Sequence, residues 1–131
     1  MAITRSTDAS LVKPLDGAII RRYTTAEAVE AGEAVYLNSS GYAALTDAAA
    51  VATNYCIGLA VGDIASGGRG DFVVFGPIIM CTAATPGAII YTVDTTAGEV
   101  GETAGTKTCI VGVAESANIV FVNPPMVTLS L

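Results

Sequence analysis

The stretch FVVFGPIIMCTAATPGAIIYTV, residues 72–93, decides the fold class. It holds no charged residue across 22 positions, enough to cross a bilayer as a helix. Its punctuation argues otherwise. Gly76-Pro77 and Pro86-Gly87 are turn dipeptides that cut it into short pieces. Those pieces are rich in Val, Ile, Phe and Tyr, which suit a pleated, buried surface. The stretch therefore reads as buried strands interrupted at both dipeptides.

Outward from this segment the same pattern continues. Short apolar runs at 18–24, 34–38, 42–45, 56–61, 72–75, 78–81, 88–93, 108–114, 118–122 and 126–129 read as strands. Gly, Pro, Asn, Asp, Ser and Thr separate them at about eight to twelve residues, the spacing of a sandwich or barrel. The expected fold class is all-β, a small β-barrel or sandwich. Residues 46–53, with Ala48-Ala49-Ala50 after Asp47, also read as one or two helical turns capped by Asp47. Residues 1–16 are polar, contain Pro14 and show neither period, so they read as an extended N-terminal arm. Residues 17–131 then form a single β-rich domain.

An internal repeat runs through that domain. Ala31-Gly32-Glu33-Ala34-Val35-Tyr36 resembles Pro86-Gly87-Ala88-Ile89-Ile90-Tyr91, and each is followed by a polar turn and a glycine, Gly41 or Gly98. Cys56-Ile57-Gly58-Leu59-Ala60 resembles Ile110-Val111-Gly112-Val113-Ala114. Val73-Val74-Phe75 before Pro77 echoes Ile119-Val120-Phe121 before Pro124. Gly32 and Gly87 are expected to open turns. Gly58 and Gly112, inside strands, are expected to mark a bulge or close backbone approach. Such a duplication would make a pseudo-symmetric barrel.

Composition removes several function classes. Charged residues are 14% of the chain against about 25% typically, and mean hydropathy is +0.60, so the bulk of the chain is not disordered. The net charge is −6, unlike the clustered Lys and Arg that nucleic acid demands. Residues 1–22 are net +2 and the remainder net −8, so a mildly basic start precedes an acidic body. There is no histidine, which takes away the commonest general base and metal ligand. Cys56, Cys81 and Cys109 form no CxxC pair and read as small buried residues of a reducing compartment. The first six residues have no apolar signal region, so synthesis and use in a cytoplasm, or assembly there into something larger, is expected.

No motif supplies chemistry. Asp94-Thr95-Thr96 lacks the glycine and the second copy of an aspartic protease and reads as a hairpin turn. Glu27, Glu30 and Glu33 read as a solvated loop. Gly67-Gly68-Arg69-Gly70-Asp71 lacks the Lys of a phosphate loop and reads as an exposed, mobile hairpin tip, its Arg-Gly-Asp a coincidence. Asp63 and Asp71 flank one loop without an EF-hand pattern. The expectation is a non-enzyme with no cofactor and no metal.

What remains is surface. A small chain this apolar is expected to bury area between copies, as a homo-oligomer of closed symmetry. The basic arm suits a second partner.

A family resemblance accompanies these features. Asp16-Gly17-Ala18-Ile19-Ile20-Arg21-Arg22-Tyr23, residues 31–37 and residues 41–48 look like the start of tailed-bacteriophage capsid decoration, or capsid cement, proteins. Ile57-Gly58-Leu59-Ala60, residues 86–91 and residues 110–114 fit the same plan. The resemblance covers about residues 16–122. It implies a β-rich structural protein, often a trimer, that binds the outer surface of an icosahedral head after assembly in the host cytoplasm and stabilises the expanded capsid. It implies no catalysis, no nucleic acid and no membrane. Ile3, Arg5, Leu11, Lys13, Arg21 and Arg22 are the residues expected to face the shell. Removing residues 1–13 is expected to leave a folded oligomer that no longer binds heads. The alternatives are a non-viral β-barrel that binds a small ligand or another protein, and a phage tail or fibre component.

Overall fold

A computed structural model describes residues 3–49, 56–106 and 109–124. The molecule is nearly all β, with a curled ten-stranded sheet forming a half-barrel. Its strands are β1 (Thr4–Arg5), β2 (Lys13–Pro14), β3 (Ile19–Thr24), β4 (Ala34–Leu37), β5 (Ala43–Leu45) and β6 (Gly58–Ala60). They continue as β7 (Arg69–Ile79), β8 (Cys81–Thr82), β9 (Ile89–Thr92), β10 (Val100–Gly101), β11 (Ile110–Ala114) and β12 (Ile119–Val122). A 3-10 turn, Ala9–Leu11, is capped by Asp8. The uncharged stretch 72–93 is strand and turn, and among the described residues no helix is long and apolar enough to cross a membrane. The expected strand at 126–129 and the helical reading of 50–53 lie outside the described residues.

The main sheet runs β10-β9-β11-β12-β7-β6-β4-β5, and β2 and β3 also pair with β7. This order reads the same from both ends once the duplication is mapped on it. Most β4 pairings have a β9 counterpart. Ala34 pairs with Leu59 as Ile89 pairs with Val113, and Val35 with Gly58 as Ile90 with Gly112. Tyr36 pairs with Ala44 as Tyr91 pairs with Gly101. Leu59 meets Val73 as Val113 meets Phe121. Turn bonds repeat too: Gly32 N–H donates to Ala60 C=O at 2.7 Å, and Gly87 N–H to Ala114 C=O at 2.8 Å. Two five-stranded units result, residues 19–75 and 76–122.

Three expectations need correction. The third sequence match is off by two residues, because the pairings align Phe72 and Val73 with Val120 and Phe121. A shift of two keeps the alternation of faces, so the sequence pattern alone does not expose it. Gly76-Pro77 does not end a strand. β7 passes straight through it, and its second half serves as the first strand of the second unit, pairing with β12. Gly76 makes this possible: its φ is +108°, and a Cβ there would sit 2.7 Å from Ala18 Cα. Lastly, Arg69-Gly70-Asp71 is not a loop tip but the start of β7, paired with Thr24, Tyr23 and Arg22.

The predicted glycines fall where expected. Gly32 and Gly87 occupy positive-φ turns, at +84° and +85°. Gly58 and Gly112 allow close approach: a Cβ on Gly58 would lie 2.5 Å from the Val73 carbonyl oxygen, and one on Gly112 would run into that of Phe121. Val73 and Phe121 are repeat equivalents, so both units carry the same constraint. Cys56, Cys81 and Cys109 are buried free thiols.

Two outcomes follow from this packing. Gly58→Ala and Gly112→Ala should each cost about 2–3 kcal/mol, about 10 °C in Tm, because backbone cannot yield as a side chain can. Gly62→Ala, with open space around it, should change Tm by no more than a degree or two in calorimetry. Burial also raises the thiol pKa of Cys109 and of Cys56, and pushes Cys81 up to about 11. At pH 8 iodoacetamide should label none of the three within minutes, and all three in urea. A folded pKa above the unfolded one means that their neutral form supports the fold below about pH 8.5, and that this support fades as pH rises through the folded values.

Candidate interaction surface

The six residues expected to face a shell do not form one patch. Ile3 is in the core beside Val12, with Ala31, Met80 and Val100 in the same cluster. Arg5 is held inside the molecule, its side chain 10% exposed. Its Nε donates to Glu99 Oε2 at 2.7 Å, Nη1 to the Ala31 carbonyl at 2.9 Å, and Nη2 to Glu30 Oε1 at 3.0 Å. Glu33 Oε2 lies 3.9 Å from Nη2. Ile3 and Arg5 therefore fasten the arm to the body. Removing residues 1–13 would open the core at Ile3 and Val12 and take a cation away from three carboxylates, so the expectation of an undisturbed fold is withdrawn.

The other four are exposed. Leu11 ends the 3-10 turn, and with Lys13 it borders an open cleft of about 320 Å³ that also includes Ser6, Ser10, Ile79 and Asn118. Arg21 and Arg22 lie on β3, opposite Phe72 and Asp71. Lys13 is opposite Ile79 on the same long strand, so the two groups are separated by about 23–26 Å at 3.3 Å per residue. Arg22 Nε donates to Asp71 Oδ1 at 3.1 Å in an exposed pair.

The arm itself behaves as an edge strand. Thr4 pairs with Thr82 and Arg5 with Cys81, and Ser6 N–H donates to the Met80 carbonyl. After the 3-10 turn, Lys13 pairs with Ile79, Pro14 with Ile78, and Leu15 N–H donates to the Pro77 carbonyl. Residues 4–15 thus run antiparallel along 82–77.

Glu33 departs from the expected solvated loop. It is 7% exposed, accepts from Glu30 N–H at 2.7 Å, and a Cβ on Gly98 would touch it. Burial lifts its carboxyl above the usual range, against the opposing pull of that hydrogen bond and of Arg5. Burial also opposes the charge on Arg5, but its bonds to Glu99 and Glu30 outweigh it and hold the guanidinium pKa above its ordinary value. Asp63 and Asp71 do not converge: Asp63 accepts from Ala31 N–H, and Asp71 meets Arg22. Asp94 lies in the β9–β10 connection, but it accepts from the N–H and hydroxyl of Thr106, twelve residues on, rather than from its own turn. Among the described residues no group of three or more His, Cys, Asp or Glu is placed to hold a metal ion. A further cleft, about 340 Å³ beside Ile3, Glu99 and Glu102, is likewise open to solvent.

A surface that sequence reasoning missed comes from comparing the units. Ile89, Val113, Phe121 and Pro77 sit opposite one another across four strands and so share one face. Their equivalents in the first unit are Ala34, Leu59, Val73 and Ile20. Ala34, Leu59 and Val73 are fully buried in the main core. Ile89 is 42% and Val113 41% exposed. Phe75 extends this exposed row by an edge-on ring contact with Phe121, and exposed Ile19 pairs with Phe75. Composition signalled spare apolar area, but only the pairing places it in one row.

The latch gives a testable pair. Arg5→Ala should cost about 1–3 kcal/mol in urea unfolding, because it leaves the buried Glu33 and the partly covered Glu99 without their cation, whereas Glu30 stays in water. Glu33→Gln should match or exceed the parent at pH 7. The raised folded pKa of Glu33 means that its protonation favours the native state, so its support is full below the unfolded carboxylate value and fades as pH rises through the folded one. The advantage of Gln should therefore shrink toward pH 4, and an advantage growing toward acid would contradict the assignment.

No family model matches this chain, and no curated protein matches it either.

Proposed function

We propose that this chain is a non-catalytic structural protein, a capsid decoration protein that assembles as a homotrimer on the outer surface of an icosahedral phage head and stabilises the expanded shell. The observation that carries the reading is the apolar row Ile89-Val113-Phe121-Pro77, exposed at Ile89 and Val113 and half-buried at Phe121 and Pro77, extended by exposed Phe75 and Ile19. The first unit buries Ala34, Leu59 and Val73 at the equivalent positions, leaving only Ile20 exposed, and soluble monomers rarely leave such a patch to water. Each large aliphatic side chain taken fully out of water contributes about 1.5–3 kcal/mol, so a few of them can hold copies together. The acidic body and the absence of histidine fit a scaffold role better than nucleic-acid binding or acid–base chemistry.

On this reading the row joins the copies, while the exposed Leu11, Lys13, Arg21 and Arg22 are the part of the expected set free to meet the shell. Ile3 and Arg5 contribute by holding the arm that carries Leu11 and Lys13. Stabilisation works by mass action. Binding the expanded shell in preference to its opened form adds about 2.7 kcal/mol per site at a free concentration one hundred times Kd.

Two measurements test this. In analytical ultracentrifugation at micromolar concentration the parent should sediment as a trimer and Val113→Asp as a folded monomer; a monomeric parent rejects the assembly. Empty expanded heads, assembled from the shell protein that this reading makes its partner, should carry it down on sedimentation and melt at higher temperature. A chain that stays in the supernatant ends the capsid reading.

A further inference from the structure

The duplication exposes a vacancy at the edge of the first unit. The opening strand of the second unit, residues 77–82, is flanked on both sides. β12 pairs along one edge, and the arm, residues 4–15, along the other. By pairing register its equivalent in the first unit is residues 20–25: Ile20 faces Val73 as Pro77 faces Phe121, and Arg21 faces Phe72 as Ile78 faces Val120. β3 has β7 on one edge; the other meets β5 only at the far end, through the Thr25–Ala43 bridge and the bond from Ala26 N–H to the Ala43 carbonyl, and among the described residues no strand covers it over residues 19–23. Its burial is correspondingly low, with Ile19, Ile20, Arg21 and Arg22 all exposed.

We infer that the open edge of β3 receives an extended segment of another polypeptide, bearing acidic side chains, in the way that the chain's own arm covers residues 77–82. Two observations fix the chemistry. First, main-chain N–H and C=O groups on an open edge recruit a strand by backbone hydrogen bonds, which need extension rather than a given sequence. Second, Arg21 and Arg22 stand side by side on that edge, while only Arg22 has a carboxylate partner, Asp71, and that pair is exposed. A strand with carboxylates on both faces would meet one arginine on each, since neighbouring residues point to opposite sides.

A second copy of β3 is the wrong occupant. Two such strands set edge to edge antiparallel, in the register that overlaps them most fully, with Arg21 opposite Arg22 of the copy, would bring four arginines together, and like charges directly opposite are destabilising. The inference concerns the edge alone and stands apart from the capsid reading.

The probe is a capped eight-residue peptide in which Val-Val pairs alternate with Glu-Glu pairs, so that carboxylates stand on both faces of the strand, compared with one in which Lys-Lys replaces each Glu-Glu. Residue-resolved amide exchange is read by nuclear magnetic resonance on the full chain at millimolar peptide. The glutamate peptide should slow exchange at least tenfold within residues 19–24 and leave 77–82 unchanged. The lysine peptide should not. The double substitution Arg21→Glu with Arg22→Glu, at exposed positions, should reverse the preference. Absence of protection in 19–24, equal protection by both peptides, or concentration-dependent protection of β3 without peptide would each overturn the inference.

Discussion

Strand β7 carries backbone ladders on both edges, and both units depend on it. Its first half binds β3 and β6, its second half β12 and β2. Phe72 and Val73 at one end and Ile78 at the other are fully buried, so each half is also a core element. A strand shared in this way fixes the register of its neighbours, because a slip of one residue would turn every buried side chain outward. Gly76 is the point at which the constraint is met: backbone at positive φ, with the chain at Ala18 too near for a side chain. The turn signal read at Gly76-Pro77 was a real conformational signal, but it marks the joint between the units rather than a strand end.

Much of the fold was legible. Apolar runs punctuated by glycine located most of the strands, and the offset of about 55 residues between Gly32 and Gly87 located the duplication. These are local signals, set by what a residue does to its own backbone or its immediate face. What stayed hidden depends on long-range pairing. Arg5 and Glu99 are 94 residues apart, and nothing near either one announces the other. Likewise Leu59 and Val113 are similar residues at equivalent places in similar strands, yet one is buried and the other exposed. Burial there is decided by what packs on the sheet, which periodicity cannot report.

The arm shows how a polar segment can be structural. Residues 1–16 have no clean apolar period because the packed segment bulges midway, at the 3-10 turn, and its two short strands contribute single anchors. Ile3 and Val12 enter the core, and Arg5 supplies a charge to a place crowded by Glu30, Glu33 and Glu99. Such a latch is costly to break because the residues left behind are poorly hydrated, even where the intact cluster adds little net stability. The basic character of the arm thus divides in two. Arg5 is spent inside the molecule, whereas Lys13 remains on the surface.

The two units are alike in backbone and unlike in what covers them, and that difference is the argument for partners. The first unit buries Ala34, Leu59 and Val73 but leaves its β3 edge open over residues 19–23; the second has its edge covered by the arm but leaves Ile89 and Val113 exposed. Identical pairing registers make the uncovered surfaces comparable with covered ones inside the same molecule, so the comparison needs no outside reference. An apolar face without charge suits another apolar face, whereas a hydrogen-bonding edge bearing two arginines resists its own copy. A chain that presents one surface suited to self-association and another hostile to it is built to occupy a position between like and unlike neighbours.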